Sequence, residues 1–192
     1  MSDVEIRTQR LALRRPRPQD LERCAELLGD YEVARMLSRV PYPYDIELGR
    51  RFITSAMANW SDPVGAEELS FHVDRDGEMV GGLSFKELQE TPKIGYWLGR
   101  PYWGKGFISE AAGAAVAWLF GNTGHERIVC EAMTENPASL KVAEKLGFRV
   151  IGEVGCASVS RGGTVPAIRT ELTRTDFSER PFTSKKGLTA GQ

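Results

Sequence analysis

Apolar residues along this chain follow two periods, one of two residues and one of three to four. Leu69, Phe71 and Val73 alternate with polar neighbours, which predicts a half-buried β-strand. The same reasoning predicts strands over residues 6–14, 69–74, 79–85, 94–98, 127–134, 149–160 and 166–173. Apolar residues at helical spacing predict helices over residues 21–28, 48–60, 108–120 and 137–146.

This order of elements predicts an α+β domain with a mixed, mostly antiparallel central sheet of about seven strands and about four flanking helices. The chain has 192 residues, of which 41% are hydrophobic, so it can bury one full core. We expect a single domain over residues 1–177. The sequence loses its periodicity from Ser178 onward, which predicts a mobile C-terminal tail over residues 178–192.

Charge and cysteine usage narrow the classes of partner. A net charge of −1 disfavours nucleic acid and anionic membranes as main partners. The sequence has no apolar run of membrane-spanning length, and its first residues do not resemble a signal peptide. Cys24, Cys130 and Cys156 are scattered, which indicates neither a disulfide framework nor a metal site. We therefore expect a cytoplasmic protein without a metal, either a monomer or a homodimer.

A glycine turn connects the predicted strand at 94–98 to the predicted helix at 108–120. Gly104 and Gly106 flank Lys105, and such a turn can point successive backbone N–H groups into one concavity. The helix that follows adds the positive end of its dipole at the same place. The turn therefore predicts an anion site, most simply for a phosphate.

Two common phosphate-binding motifs do not fit this turn. Residues 99–105 match the opening of a P-loop, but Gly106 stands where a Ser or Thr hydroxyl should hold magnesium. The dinucleotide fingerprint fails because Ser109 occupies the position of its third glycine. A nucleotide hydrolase is therefore only a distant alternative.

A second motif is a complete short helix at residues 137–146. Asn136 is a favoured N-cap residue, Pro137 suits the first helical position, and Gly147 suits the end of the helix. Together with the run 96–98 and the glycine turn, this helix resembles the corresponding motifs of the GNAT-type N-acetyltransferases. The resemblance is strongest to the branch that contains the ribosomal-protein N-terminal acetyltransferases, and it extends from residues 10–14 through both motif helices.

The resemblance implies acetyl-CoA as the acetyl donor, bound at two adjoining places. The pyrophosphate would lie on the backbone of the glycine turn, which comprises Trp103, Gly104, Lys105, Gly106 and Phe107. The pantetheine arm would lie between splayed strands at 94–98 and 127–134. In that arrangement Trp97, Leu98 and Asn136 are the expected contacts of the arm, although Asn136 also serves as a helix cap.

The resemblance also implies a hydrogen-bond donor for the departing CoA sulfur. Many members of the family use a tyrosine at the position of Ala143, so this chain departs from that pattern. Ser139, three residues after Asn136, is the expected donor instead, and it can alternatively complete the helix cap. Lys93 stands where the branch often carries a carboxylate, which leaves the general base open. Glu87 is the predicted base, with His72 and Glu131 as further candidates.

The implied reaction is direct transfer of the acetyl group to a primary amine, either a protein N-terminus or a small amine. The acceptor is expected over the two early helices and the linker at 37–44, where aromatic residues can line a pocket. These are Tyr31, Tyr42, Tyr44 and Trp60. The alternative is a noncatalytic acyl-CoA-binding or sensor domain of the same fold, which Lys93 and Ala143 favour.

Overall fold

The computed structural model describes residues 5–178, which form one eight-stranded sheet and six α-helices. The strands are β1 (Ile6–Arg7), β2 (Ala12–Arg14), β3 (Glu68–Arg75), β4 (Glu78–Lys86), β5 (Lys93–Leu98), β6 (Arg127–Met133), β7 (Arg149–Ser158) and β8 (Gly163–Thr173). The helices are α1 (Leu21–Leu28), α2 (Tyr31–Ala34), α3 (Ile46–Asn59), α4 (Phe107–Asn122), α5 (Pro137–Leu146) and α6 (Arg174–Ser178). The predicted α+β class is confirmed, with one more strand than expected and two additional short helices.

The sheet has the order β1-β2-β3-β4-β5-β6-β8-β7, and its neighbours are antiparallel except for β5 and β6. These two strands pair in parallel only at Lys93 with Val129 and at Ile94 with Cys130. Beyond Ile94, β5 continues to pair with β4, whereas β6 pairs with β8 along its whole length. The two central strands therefore diverge, as the predicted splay requires.

The two faces of the sheet are covered by different helices. One face packs against α4 and α5 in a large apolar core that includes Phe71, Phe85 and Leu119. The other face packs against α1 and α3 in a smaller cluster that includes Cys24 and Ile53. Each face of the central strands thus has its own helical cover.

The predicted first strand over residues 6–14 is wrong, because the chain reverses within it. Ile6 pairs with Leu13 and Arg7 with Ala12, so the segment is a small hairpin. The backbone N–H of Thr8 donates to the Leu11 carbonyl at 2.9 Å and closes the turn. A two-residue period continues through such a turn, and no Gly or Pro marks it in the sequence.

The expectation that β3 is half-buried is also wrong. Ser70 and His72, on its polar side, are only 2% and 3% exposed, because α1 and α3 cover that side. At the other end of the chain, β7 ends at Ser158 and β8 begins at Gly163, with a 3₁₀ turn at Val159–Arg161 between them. Ser178 closes α6, and residues 179–192 of the predicted tail lie outside the described residues.

A buried group of charges lies under α1. The guanidinium of Arg14 donates to both carboxylate oxygens of Asp20, at 2.8 and 2.9 Å, and to Asp74 at 2.5 Å. His72 Nδ1 lies 2.6 Å from the Asp20 carboxylate. Burial alone would raise the pKa of Asp20, but hydrogen bonds from His72 and Arg14 hold that pKa well below its usual range. The group ties the start of α1 to β2 and β3.

Among residues 5–178, no helix combines the length and the apolar character that crossing a membrane requires.

Replacing Asp20 with Asn should lower the free energy of unfolding at pH 7 by about 3 kcal/mol, because Arg14 loses a buried partner. An aspartate in an unfolded chain has a pKa near 3.9, above that of folded Asp20. The carboxylate therefore stabilises the fold above about pH 4, and this contribution is lost as the pH falls further. Urea unfolding between pH 7 and pH 3 measures both effects.

The matched control is Asp76→Asn, at an exposed turn, which should change the free energy of unfolding by less than about 0.5 kcal/mol. An acid slope in Asp20→Asn as steep as in the unchanged protein would contradict the assignment.

Candidate active site

The glycine turn forms a concave backbone surface at the start of α4. Gly104 and Gly106 have φ angles of 74° and 76°, a left-handed conformation that favours glycine, and α4 begins at Phe107. The first backbone N–H groups of a helix have no partner within it, so they face the concavity. The Lys105 ammonium donates to the Pro101 carbonyl at 2.8 Å, within its own loop. The turn therefore has the backbone conformation that the predicted anion site requires.

Arg10 connects this turn to the first turn of α4. Its guanidinium donates to the Lys105 carbonyl at 3.0 Å and to the Glu110 carboxylate at 2.7 Å, and it stacks 4.7 Å from the centre of the Phe107 ring. Trp103 closes the other side, where its indole N–H donates to the Leu98 carbonyl at 2.8 Å. The loop is thus fixed to both β5 and α4.

A cavity of about 560 Å³ runs from this turn to the splay between β5 and β6. The residues predicted to bind acetyl-CoA, apart from Lys105, line it together with the predicted sulfur donor Ser139: Trp97, Leu98, Trp103, Gly104, Gly106, Phe107, Asn136 and Ser139. The structure therefore brings together residues from the strand, the turn and the second motif helix. Their roles stay predictions.

Two hydroxyl groups meet on the wall of this cavity. The Asn136 side-chain oxygen accepts from the Ser139 backbone N–H at 3.1 Å, as an N-cap does. The Ser139 hydroxyl donates to the Tyr96 hydroxyl at 3.2 Å, and Tyr96 in turn donates to the Ser139 carbonyl at 3.1 Å. Burial raises the pKa of Tyr96 well above its ordinary value, so its phenol stays protonated at neutral pH.

Sequence reasoning did not assign a role to Tyr96. It shares one face of β5 with Ile94 and Leu98, and that face packs towards α4 and α5. The two-residue period of β5 was the available signal, since it puts Tyr96 on the face opposite Trp97. Ala143 lies on the buried side of α5 and has no hydroxyl group. The phenol that contacts Ser139 in this chain is instead that of Tyr96, on β5.

The candidate bases lie in different surroundings. Glu87 follows β4 and is 49% exposed, and its carboxylate lies 3.1 Å from the Lys93 ammonium. It does not line the cavity at the splay. Glu131 lines the first cavity, accepts from Arg169 at 2.8 Å and lies 3.5 Å from the Lys93 ammonium. His72 is buried on β3 against Asp20, two strands from β5. That separation is about 10 Å, too far for direct proton transfer to a group at β5.

A second cavity, of about 410 Å³, lies on the opposite face of the sheet. Its floor is the face of β3, β4 and β5 that carries Ser70, His72, Ser84 and Lys86. The helices α1 and α3 and the segment 37–44 form its roof. Of the four aromatic residues predicted here, Tyr44 lines the cavity, Trp60 packs in the core, and Tyr31 and Tyr42 are exposed.

The two cavities meet along β5. Gly95, Tyr96 and Trp97 line both of them. A Cβ at Gly95 would meet no atom within 4 Å, so this position is open space between the cavities. A Cβ at Gly82 would instead lie 2.8 Å from the Trp97 indole nitrogen, which therefore covers that glycine.

The turn between β7 and β8 is hydrogen-bonded to the segment that follows α2. The Val159 N–H donates to the Ser38 carbonyl at 3.1 Å, and the Arg161 guanidinium donates to the Arg35 carbonyl at 2.7 Å. Arg35 and Arg161 both bind the Glu135 carboxylate. Within residues 5–178, no cluster of three or more His, Cys, Asp or Glu side chains is placed to hold a metal ion.

Comparison with known proteins gives a consistent result. A family model described as an acetyltransferase (GNAT) domain matches residues 10–149. The uncharacterized N-acetyltransferase p20 of Bacillus licheniformis is 27% identical over 175 residues, which cover 89% of this chain and 97% of that protein. The ribosomal-protein-serine acetyltransferase of Escherichia coli K12 is 32% identical over 85 residues, or 43% of this chain and 48% of the relative.

Among solved structures, this chain is similar to the ribosomal L7/L12 α-N-protein acetyltransferase RimL in complex with coenzyme A. The TM-score is 0.76 at 20% sequence identity, over 88% of this chain and 98% of the other. At this identity the likeness shows a common fold.

Replacing Asn136 with Ala should lower the free energy of unfolding by about 1 kcal/mol, because the first turn of α5 loses its cap. Asn136→Asp keeps the capping oxygen and should remain within about 0.5 kcal/mol of the unchanged protein. Chemical unfolding without ligand measures both variants. Equal losses in the two variants would show that the side-chain oxygen is not the cap.

Proposed function

The chain belongs to the GNAT acetyltransferase family, and we propose that it transfers the acetyl group of acetyl-CoA directly to a primary amine. One observation carries this proposal. A cavity leads from a backbone anion site at the start of α4 to the open edge of β5, where it meets a second cavity at Gly95. A donor and an acceptor can therefore approach the same strand from opposite faces of the sheet.

In this proposal the pyrophosphate of acetyl-CoA binds the backbone of residues 103–107. The helix dipole and the amide groups of the turn favour a doubly charged anion there. The pantetheine arm follows β5 into the splay, where the strand has lost its pairing with β6 and can offer backbone hydrogen bonds. Trp97 and Leu98 supply that edge, and the Asn136 amide lies beside it. The coenzyme A complex of the similar RimL structure supports this ligand class.

The acceptor amine approaches through the second cavity and reaches the thioester at Gly95. Its nitrogen attacks the acetyl carbon, the carbon–sulfur bond breaks, and the nitrogen gives up one proton. We assign that proton to Glu131, through water, in place of Glu87. Ile94 pairs with Cys130, and Gly95 and Glu131 are the next residues on the two diverging strands. Glu87 instead follows the end of β4 and is exposed.

The departing thiolate needs a hydrogen-bond donor, and we propose Ser139. Its hydroxyl now donates to Tyr96, and rotation about one bond redirects it to a sulfur in the cavity. Tyr96 stays neutral, because burial raises its pKa, and it holds the Ser139 carbonyl. The contact with Tyr96 thus holds the Ser139 side chain in place, and the hydroxyl proton can still rotate towards the sulfur.

The acceptor class within this proposal is a protein N-terminus or a small amine. The names of the E. coli relative and of RimL favour a protein N-terminus. The second cavity, at about 410 Å³, has the size of a small-molecule site. A cytoplasmic location belongs to the same proposal, since Cys24, Cys130 and Cys156 are all free thiols.

Acetyl-CoA at about 100 times its dissociation constant should stabilise the protein by roughly 2.7 kcal/mol. For a domain of this size we expect the midpoint of thermal unfolding to rise by about 5 to 10 °C. Magnesium ATP and NADH at the same concentration should give no comparable rise. A rise with either nucleotide and none with acetyl-CoA would overturn the ligand assignment.

Ser139→Ala should reduce kcat about 100-fold, because the leaving thiolate loses its hydrogen bond, while the Kd for acetyl-CoA changes less than about threefold. Tyr96→Phe should give a smaller loss, about tenfold, since the serine hydroxyl remains. Steady-state acetylation and calorimetric titration measure the two quantities.

Ser61→Ala is the matched control, because Ser61 is exposed and lines neither cavity. Full turnover in Ser139→Ala would refute the role of this serine. Binding of acetyl-CoA without acetylation of any amine would favour the noncatalytic sensor domain.

A further inference from the structure

Lys86 is the last residue of β4 and lies in the floor of the second cavity. It shares that floor with Ser84 and Glu68, beneath a roof in which Phe52 and Ile53 are apolar. Its side chain is half-buried. Neither the resemblance nor the comparisons give this lysine a role.

The other charged groups around this floor are paired. Arg39 donates to both carboxylate oxygens of Glu68, at 2.7 and 2.9 Å. Lys93 lies 3.1 Å from Glu87 and 3.5 Å from Glu131. Within the described residues, no carboxylate lies at ion-pair distance from the Lys86 ammonium. Lys86 therefore has no direct ion pair, although its register partner Glu68 lies on the neighbouring strand, and it adds a positive charge to a largely apolar cavity.

The surroundings make this charge costly in the empty cavity. Burial lowers the pKa of Lys86, and the neighbouring charges of Arg39 and Lys93 lower it further, against the opposing effect of Glu68. A carboxylate bound beside the ammonium would offset both effects. Because part of the water around Lys86 is already excluded, such a pair would be stronger than one at the surface.

The strand register fixes where Lys86 lies relative to the reaction centre. Ser84 pairs with Gly95, and Lys86 pairs with Lys93, two residues further along the strands. The Lys86 position is therefore about 7 Å along the strand and about 5 Å across it from Gly95. An amine nitrogen at Gly95 and a carboxylate on Lys86 can then belong to one small molecule, since the lysine side chain spans part of this distance.

We propose that the acceptor is a small amine that also carries a carboxylate and an apolar group, as an amino acid does, and that Lys86 binds its carboxylate. The apolar group would pack against α3, where Leu48 and Phe52 are exposed around the cavity. This inference rests on the proposed acetyl transfer and specifies its acceptor. It makes Lys86 a specificity-determining residue.

The test compares matched pairs of amines that differ only in the carboxylate. L-Leucine with leucinamide and L-phenylalanine with phenylalaninamide are two such pairs. The rates are compared per neutral amine, because the amides are less basic. A third pair of peptides, Ser-Glu-Leu-amide and Ser-Gln-Leu-amide, distinguishes a free amino acid from a peptide with an acidic second residue. The unchanged enzyme should prefer the free acids by about 10- to 100-fold in kcat/KM.

Lys86→Met keeps the length of the side chain and removes its charge. It should abolish the preference for acids by lowering their kcat/KM about 10- to 100-fold, while the amides change less than about threefold. Lys86→Arg should restore part of the preference. Arg51→Met removes a cation from the exposed surface of α3, outside both cavities, and should leave the preference unchanged.

Three results with the acids and their amides would overturn the inference while leaving acetyl transfer intact. These are equal rates for acids and amides, an acid preference that survives in Lys86→Met, and a loss in Lys86→Met that is equal for acids and amides. The last would indicate a role for Lys86 in proton transfer or folding. Acetylation of peptides, combined with no acetylation of free amino acids, would also overturn it. Transfer to no amine at all would overturn the proposed function itself.

Discussion

The short parallel pairing between β5 and β6 is the constraint on which the rest of the structure depends. Only two residue pairs join these strands, whereas β4 pairs with β5 and β8 pairs with β6 along the lengths of these strands. Buried backbone N–H and C=O groups require partners, so an edge that opens inside a domain is a place for a ligand. The glycine turn, α4 and α5 all border this opening. The site thus arises from a sheet that stops pairing at its centre.

In the proposed reaction, the sheet also separates the two reactants. The face that carries Tyr96 packs against α4 and α5, and the face that carries Trp97 packs against α1 and α3. Gly95 lies between them and has no side chain to close the gap. The buried charges of Arg14, Asp20 and His72 fix α1 over the second face. Structural polar groups therefore support the roof of the second cavity.

Local features of the sequence predicted the structure well, and features that depend on distant contacts did not. The helix at Pro137–Leu146 and the glycine turn were predicted because their caps and conformations are set by adjacent residues. The hairpin within residues 6–14 was missed because alternation does not reveal a reversal. The burial of His72, on the polar side of β3, was missed because its partner Asp20 lies 52 residues away. The roles proposed for Tyr96 and Lys86 likewise depend on neighbours from other elements.

The Trp97 side chain fills the space next to Gly82, although the two residues lie on different strands. The indole covers the glycine so closely that a Cβ there would lie 2.8 Å from its nitrogen. A side chain at position 82 would therefore require the Trp97 indole to move, and that indole lines both cavities. The shape of the second cavity thus depends on the missing side chain at Gly82 as well as on the indole that fills its place.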